Sequence, residues 1–135
     1  MSQWRYMLDT NIVSDLVHNP SGKVARKIVD IGDDGLCVSI IVAAELRYGC
    51  AKRGSAALSR QVEAVLSALD IMPLDVPADA DYGEIRNRLA RVGAIIGPND
   101  LLIAAHAIAL RLPLVTGNVS EFSRVHGLAV ENWLT

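Results

Sequence analysis

Trp4-Arg5-Tyr6-Met7-Leu8-Asp9-Thr10-Asn11 decides how the rest of the chain is read. It is an apolar run that stops at a carboxylate followed by two small polar residues. Ile12 and Val13 then begin a helical pattern that ends near Leu16, Val17 and His18. A strand inside a parallel sheet is covered on both faces, so its sequence is apolar without alternation. Ligands of open α/β sheets sit outside the carboxyl ends of the strands, and Asp9 falls at such an end. A second reading is local, because Asp and Asn also cap helices and favour turns. The two readings separate according to whether other carboxylates arrive at equivalent places.

The strand-then-helix alternation continues outward from this stretch. Asn19-Pro20-Ser21-Gly22 breaks the first helix, and Ser21 is the expected N-cap of a second, Lys23 to Ile31, with Val24, Ile28 and Ile31 on one face. Gly32-Asp33-Asp34-Gly35 reads as a turn before a buried strand, Leu36 to Ser39. Ser39 opens a helix from Ile40 to about Lys52, and Ser55 caps another to about Leu69. Ile71-Met72-Pro73-Leu74 reads as a third strand in which Pro73 limits pairing. Pro77 starts a helix from Ala78 to about Val92, and Asn99-Asp100 begins another, apolar almost all round, through Ala107. Leu112 to Thr116 and Leu128 to Asn132 are the fourth and fifth strands, separated by Glu121-Phe122 and a turn at His126-Gly127. Strands alternating with helices predict an α/β fold with a mostly parallel central sheet of about five strands.

A chain of 135 residues fits a single domain, 1–135, and buries roughly two-thirds of its unfolded surface. Half the residues are apolar and few are aromatic, so the core is aliphatic. No signal peptide is visible. The longest apolar stretches, Leu36 to Ala44 and Leu101 to Leu110, fall short of the ~18 residues that suggest a membrane span. Cys37 and Cys50 are too few for a disulfide framework and read as reduced, buried thiols of a cytoplasmic protein. The net charge of −2 argues against a strongly basic nucleic-acid binder. Committing three carboxylates to a metal, however, would turn the remaining balance slightly positive, and the metal itself inverts the local field.

Two further carboxylates stand out. Ile41, Val42, Glu45, Tyr48 and Gly49 share one helical face, which places Glu45 in an apolar stripe. A buried carboxylate needs a partner, either a structural bond or a bound cation. Asp100 starts the core helix, whose N-terminus favours an anion. It is either an ordinary first-turn acid or a ligand. His106, deeper in that helix, reads as a satisfied core or interface histidine rather than a ligand. Arg86, Arg88 and Arg91 form a solvated or phosphate-contacting face, and Arg47, Lys52 and Arg53 a solvated or RNA-facing one. The fourth strand ends in Thr116-Gly117-Asn118, again polar. Hard oxygen donors gathered in one cleft suit Mg²⁺ or Mn²⁺, and two such ions activate a water and stabilise the leaving oxygen of a phosphodiester. No Cys/His set competes for zinc, and no GxxxxGK[ST] loop supports nucleoside triphosphate use.

MLDTN at Met7 to Asn11, SIIVAAELRYG at Ser39 to Gly49, GPNDLLIAAHA at Gly97 to Ala107 and VTGNVSEFSRVHGLAVENW at Val115 to Trp133 resemble VapC-type PIN-domain toxins in order and over nearly the whole chain. The resemblance implies a three-layer α/β/α PIN-like domain and an Mg²⁺- or Mn²⁺-dependent endoribonuclease. It also implies a cognate VapB-type antitoxin, homodimerisation with a higher assembly in the antitoxin complex, and structured RNA targets such as tRNA anticodon loops or an rRNA loop. Asp9, Glu45 and Asp100 match the three acidic positions of the metal site. The fourth position is open between Asn118, which falls where many relatives have Asp or Asn, and Glu121, the nearest carboxylate. Thr10, Asn11 and Thr116 match polar positions that orient the carboxylates. Asn99 departs from the aromatic often found before the third acid, which bears on substrate contacts. Two other readings stay open: a metal-dependent phosphohydrolase of small phosphates, and a non-catalytic PIN-like module that binds metal or RNA.

Overall fold

The computed structural model describes residues 3–135. Five strands, β1 (Tyr6–Leu8), β2 (Leu36–Ser39), β3 (Asp70–Met72), β4 (Leu114–Val115) and β5 (Val130–Glu131), form one sheet in the order β3-β2-β1-β4-β5. Every pairing is parallel, with Met7 opposite Cys37 on one side and Leu114 on the other. The central strands are apolar because both faces are covered: Met7, Leu8, Cys37, Val38, Leu114 and Val115 have no solvent exposure. Burial of each such side chain contributes roughly 1.5–3 kcal/mol. Burial also pushes the Cys37 thiol up to about 12, and both cysteines are free and buried.

Seven helices connect the strands: α1 (Thr10–His18), α2 (Lys23–Ile31), α3 (Ile40–Arg53), α4 (Ala56–Ser67), α5 (Ala78–Arg91), α6 (Pro98–Leu110) and α7 (Val119–Phe122). Right-handed crossovers put the helices leading from β1 to β3 on one face and those leading back to β4 on the other. The packing agrees, since α1 meets α3 and α4 while α5 lies along α6. The result is a three-layer α/β/α arrangement. Strand order reverses between β1 and β4, so their carboxyl ends open a crevice at the place where such sheets bind ligands.

Several local expectations change. Gly22, not Ser21, occupies the N-cap of α2, and no side chain caps that helix. The third strand runs from Asp70 to Met72 rather than from Ile71 to Leu74 and pairs only with β2, as an edge strand. The fourth and fifth strands keep only two laddered residues each, because their flanks turn away into the loops. Helix α6 begins two residues before Asp100, with Pro98 at its first position, where a missing amide hydrogen costs nothing. The buried face of α3 is Val42, Ala43, Leu46 and Cys50, whereas Tyr48 is 67% exposed. Glu45 therefore stands at the edge of the buried face, not within it.

The core helix α6 carries one polar side chain inward. His106 is buried, its Nδ1 lies 2.8 Å from Ser39 Oγ, and that hydroxyl also accepts from the Ile41 amide. This bond joins β2, α3 and α6. Contrary to the expected satisfied histidine, His106 Nε2 is buried without a well-formed hydrogen bond among the described residues, although the Pro73 carbonyl acts on the ring.

Candidate active site

The crevice is built from both ends of the chain. Asp9 follows β1 at the N-cap position of α1, yet its side chain makes no capping bond. It is 4% exposed, and its Oδ2 accepts a 2.7 Å hydrogen bond from Thr116 Oγ1, at the end of β4. Thr116 Oγ1 in turn accepts from the Asn118 amide, which fixes the direction of its own donation. Beside this pair Asn11 Oδ1 accepts from the Gly117 amide at 2.9 Å, tying the start of α1 to the β4 loop. A cap was the local alternative for Asp9; the geometry instead turns its carboxylate toward the crevice.

Glu45 arrives from α3. Thr10 Oγ1 donates to its Oε1 at 2.6 Å and Asn99 Nδ2 to its Oε2 at 3.3 Å. Both partners are neutral, so the charge of Glu45 is oriented but not cancelled. Asp100 arrives from the first turn of α6 and Glu121 from α7. Glu121 Oε1 accepts from the Gly97 amide at 2.7 Å, and its Oε2 from Asn118 Nδ2 at 2.6 Å. Asn118 Nδ2 also reaches Asp100 Oδ2 at 3.5 Å. The choice between Asn118 and Glu121 thus becomes a linked pair: the amide of one positions the carboxylate of the other. The Gly97 contact, and α7 itself, escaped sequence reasoning. A four-residue helix has too little periodicity to be recognised, and a backbone amide leaves no side-chain signature.

The electrostatics of this cluster are unbalanced. Burial raises Asp9 above its ordinary range, and the Glu45 and Glu121 charges add to the effect against the Thr116 bond. Burial pushes Asp100 up to about 7, reinforced by the charges of Glu121 and Asp9. Glu121 is held below its ordinary value by the Gly97 amide and then by Asn118. Among the described residues no salt bridge reaches these acids. Among the described residues no three Asp, Glu, His or Cys side chains stand close enough together to hold a metal ion as they are placed. The donor set nevertheless fits a hard divalent cation: it is all oxygen, it comes from four elements facing one crevice, and its mutual repulsion is what a cation relieves.

Comparison with known proteins gives a consistent answer. The PIN domain family matches residues 6–128. Ribonuclease VapC2 of Rickettsia felis is 40% identical over 130 residues, covering 95% of this chain and 97% of that protein. The tRNA(fMet)-specific endonuclease VapC of Shigella flexneri is 37% identical over 130 residues, covering 96% and 98%. Among solved structures, VapBC2 from Rickettsia felis bound to a DNA fragment from its promoter superposes with a TM-score of 0.87 at 38% identity, covering 95% of this chain and 98% of that one.

Proposed function

The chain belongs to the PIN-domain family of VapC-type ribonucleases, and from that premise we propose that its β1/β4 crevice holds Mg²⁺ or Mn²⁺ and hydrolyses phosphodiester bonds in structured RNA. It is the toxin ribonuclease of a toxin–antitoxin pair, partnered by a VapB-type antitoxin. The observation that carries the mechanism is the gathering of Asp9, Glu45, Asp100 and Glu121 with no salt bridge to any of them among the described residues, Arg124 acting on Glu121 only from a distance. Asp9, Asp100 and Glu45 are the metal-holding groups in this reading. A divalent cation held there supplies an activated water and neutralises charge on the phosphate. The chain's other residues keep the carboxylates in place: Thr116 holds Asp9, Thr10 and Asn99 hold Glu45, and Asn118 holds Glu121. Asn11 locks the Gly117 loop against α1, so Thr116 and Asn118 keep their positions.

The substrate in this reading is a tRNA or rRNA loop, and cleavage arrests translation until the antitoxin binds. tRNA(fMet), which names the Shigella flexneri relative, is the first RNA to assay. The 135 residues act as one PIN domain and pair as a homodimer, with a larger assembly in the antitoxin complex. The protein works in the cytoplasm; no helix among the described residues is long and apolar enough to cross a membrane.

The test incubates antitoxin-free protein with deproteinised total RNA in Mg²⁺, in Mn²⁺ and in EDTA, with Asp100→Asn as the control, and maps new 5′ ends. A few discrete ends that require both metal and Asp100 are expected. Metal binding with no new ends, on free RNA and on intact ribosomes alike, would overturn the reading.

A further inference from the structure

Among the described residues, helices α2, α3 and α5 each carry a basic face, and the faces differ in what their charges already do; on α3, Arg47 is paired with Glu63 at 3.0 Å. On α5, Arg88 pairs with Glu84 at 3.4 Å, and Arg86 donates to Tyr82 Oη while stacking on its ring. On α2, Lys23, Arg26 and Lys27 are exposed, and among the described residues none of them makes an ion pair or a side-chain hydrogen bond, although Asp30 lies within one turn. Lys23 and Arg26 line two adjoining grooves of about 500 and 250 Å³. The larger also has Asp15, His18 and Leu134 in its wall and the smaller Lys27, Asp30 and Trp133, so cations outnumber carboxylates in each.

These grooves connect with the crevice through Leu134. A Cβ placed on Gly117 would lie 2.7 Å from Leu134 Cδ1, so the C-terminal segment rests directly on the loop that carries Thr116 and Asn118. Gly117 is also bonded to Asn11, two residues after Asp9. A basic groove therefore begins at the wall of an acidic cleft. A polyanion that places one phosphate among the carboxylates gains nothing from that cleft's own charge. It needs cations further along its backbone, and unpaired ones serve best because no internal bond has to be broken.

We propose that the α2 face, through Lys23, Arg26 and Lys27, is the surface that tracks the substrate RNA backbone away from the cleavage site. The inference rests on the ribonuclease reading and assigns the side of the crevice along which the RNA lies. Phosphate contacts of this kind position the substrate without reading its sequence.

The test measures binding, so it does not depend on cleavage. In an Asp9→Asn background, the affinity for a full-length tRNA and for a short oligoribonucleotide is compared with and without Lys23→Gln, Arg26→Gln and Lys27→Gln, across a salt series. The triple substitution is expected to weaken tRNA binding roughly tenfold or more at 0.1 M salt. It should flatten the log–log salt slope by about 2, as loss of three phosphate contacts predicts. The short RNA should change much less, and an Arg86→Gln/Arg91→Gln control should match the parent. Lys23→Arg/Lys27→Arg should retain full affinity, since charge is what matters. Unchanged tRNA affinity and slope would overturn the proposal. So would equal losses on long and short RNA, or a loss confined to antitoxin binding, which would assign the face to a protein partner. If the parent binds tRNA through this face but no variant with Asp9 intact cuts RNA, the ribonuclease reading fails and the face is left as an RNA-binding surface without a cleavage site.

Discussion

In the core, Ser39 and His106 meet as neutral partners: one hydroxyl serves an amide and an imidazole, and three elements are joined. At the β1/β4 crevice, Asp9, Glu45, Asp100 and Glu121 are held by neutral donors while their negative charges face one another. Both clusters take polar groups out of water. The core pair returns that cost as a bond that orders the fold. The crevice leaves it as repulsion, visible in the upward displacement of Asp9 and Asp100. Apart from the unpaired His106 Nε2, polar burial therefore stabilises one region and destabilises the other, and the destabilised one is where the proposed cation and phosphate would meet.

The largest effect should come from Asp9→Asn. The amide still accepts from Thr116, so the geometry is kept while the charge is lost. RNA cleavage is expected to fall below detection as the melting temperature rises, measured by 5′-end mapping and thermal denaturation; a folded Asp9→Asn variant that cuts RNA would break the contrast. Next in size, His106→Ala should cost about 2 to 4 kcal/mol of stability, as a large-to-small core change. Cleavage per folded molecule should stay unchanged, which a denaturant titration paired with a rate assay can check.

How far the sequence foretold this contrast can be seen residue by residue. Asp9 was legible because a doubly buried strand leaves an uninterrupted apolar run, and a carboxylate at its end is conspicuous. His106 was legible as a core residue because α6 is apolar all round. The place of Glu45 in the cluster was expected for a partly mistaken reason: the stripe through Ile41 and Tyr48 is not the buried face of α3, and its partners Thr10 and Asn99 come from two other elements. The joint role of Asn118 and Glu121 could not be read, because it depends on the short helix α7 and on a backbone amide of Gly97. Periodicity reveals which face is buried; it does not reveal which distant carboxylates that burial brings together.

Smaller effects would sharpen the comparison further. Millimolar Mg²⁺ should raise the melting temperature of the parent by a few degrees, because an ion that binds only the folded state stabilises it. The gain should vanish in Asp9→Asn and shrink in Asp100→Asn. The two regions should also titrate in opposite directions. Asp100 stands at about 7 when folded against an ordinary 3.8, so the folded state binds more protons and loses stability as pH rises from about 4 to 7. His106 is displaced downward by burial, against an opposing pull from the Pro73 carbonyl. Below its ordinary 6.5 the unfolded state binds the extra proton, so its share of stability falls as pH drops. In EDTA, unfolding free energies followed from pH 5 to 8 should therefore change least in the parent, where the two trends offset each other. Asp100→Asn should expose the histidine's acid-side loss, and His106→Phe the carboxylate's loss on raising pH. Curves that shift alike in both variants would refute the assignment.

The hydrogen bond from Thr116 to Asp9 closes a loop of 107 residues. Contacts so distant along a chain form late, since the entropy of closing the intervening segment must be overcome first. During synthesis, a chain that has delivered Asp9, Glu45 and even Asp100 still lacks the strand that completes the crevice. A nascent, stalled or clipped product ending before Thr116 carries most of the acids but lacks the Thr116 and Asn118 contacts that hold Asp9 and Glu121. A ribonuclease of this topology is thereby expected to gain activity only once synthesis has passed Thr116, before any inhibitor is bound.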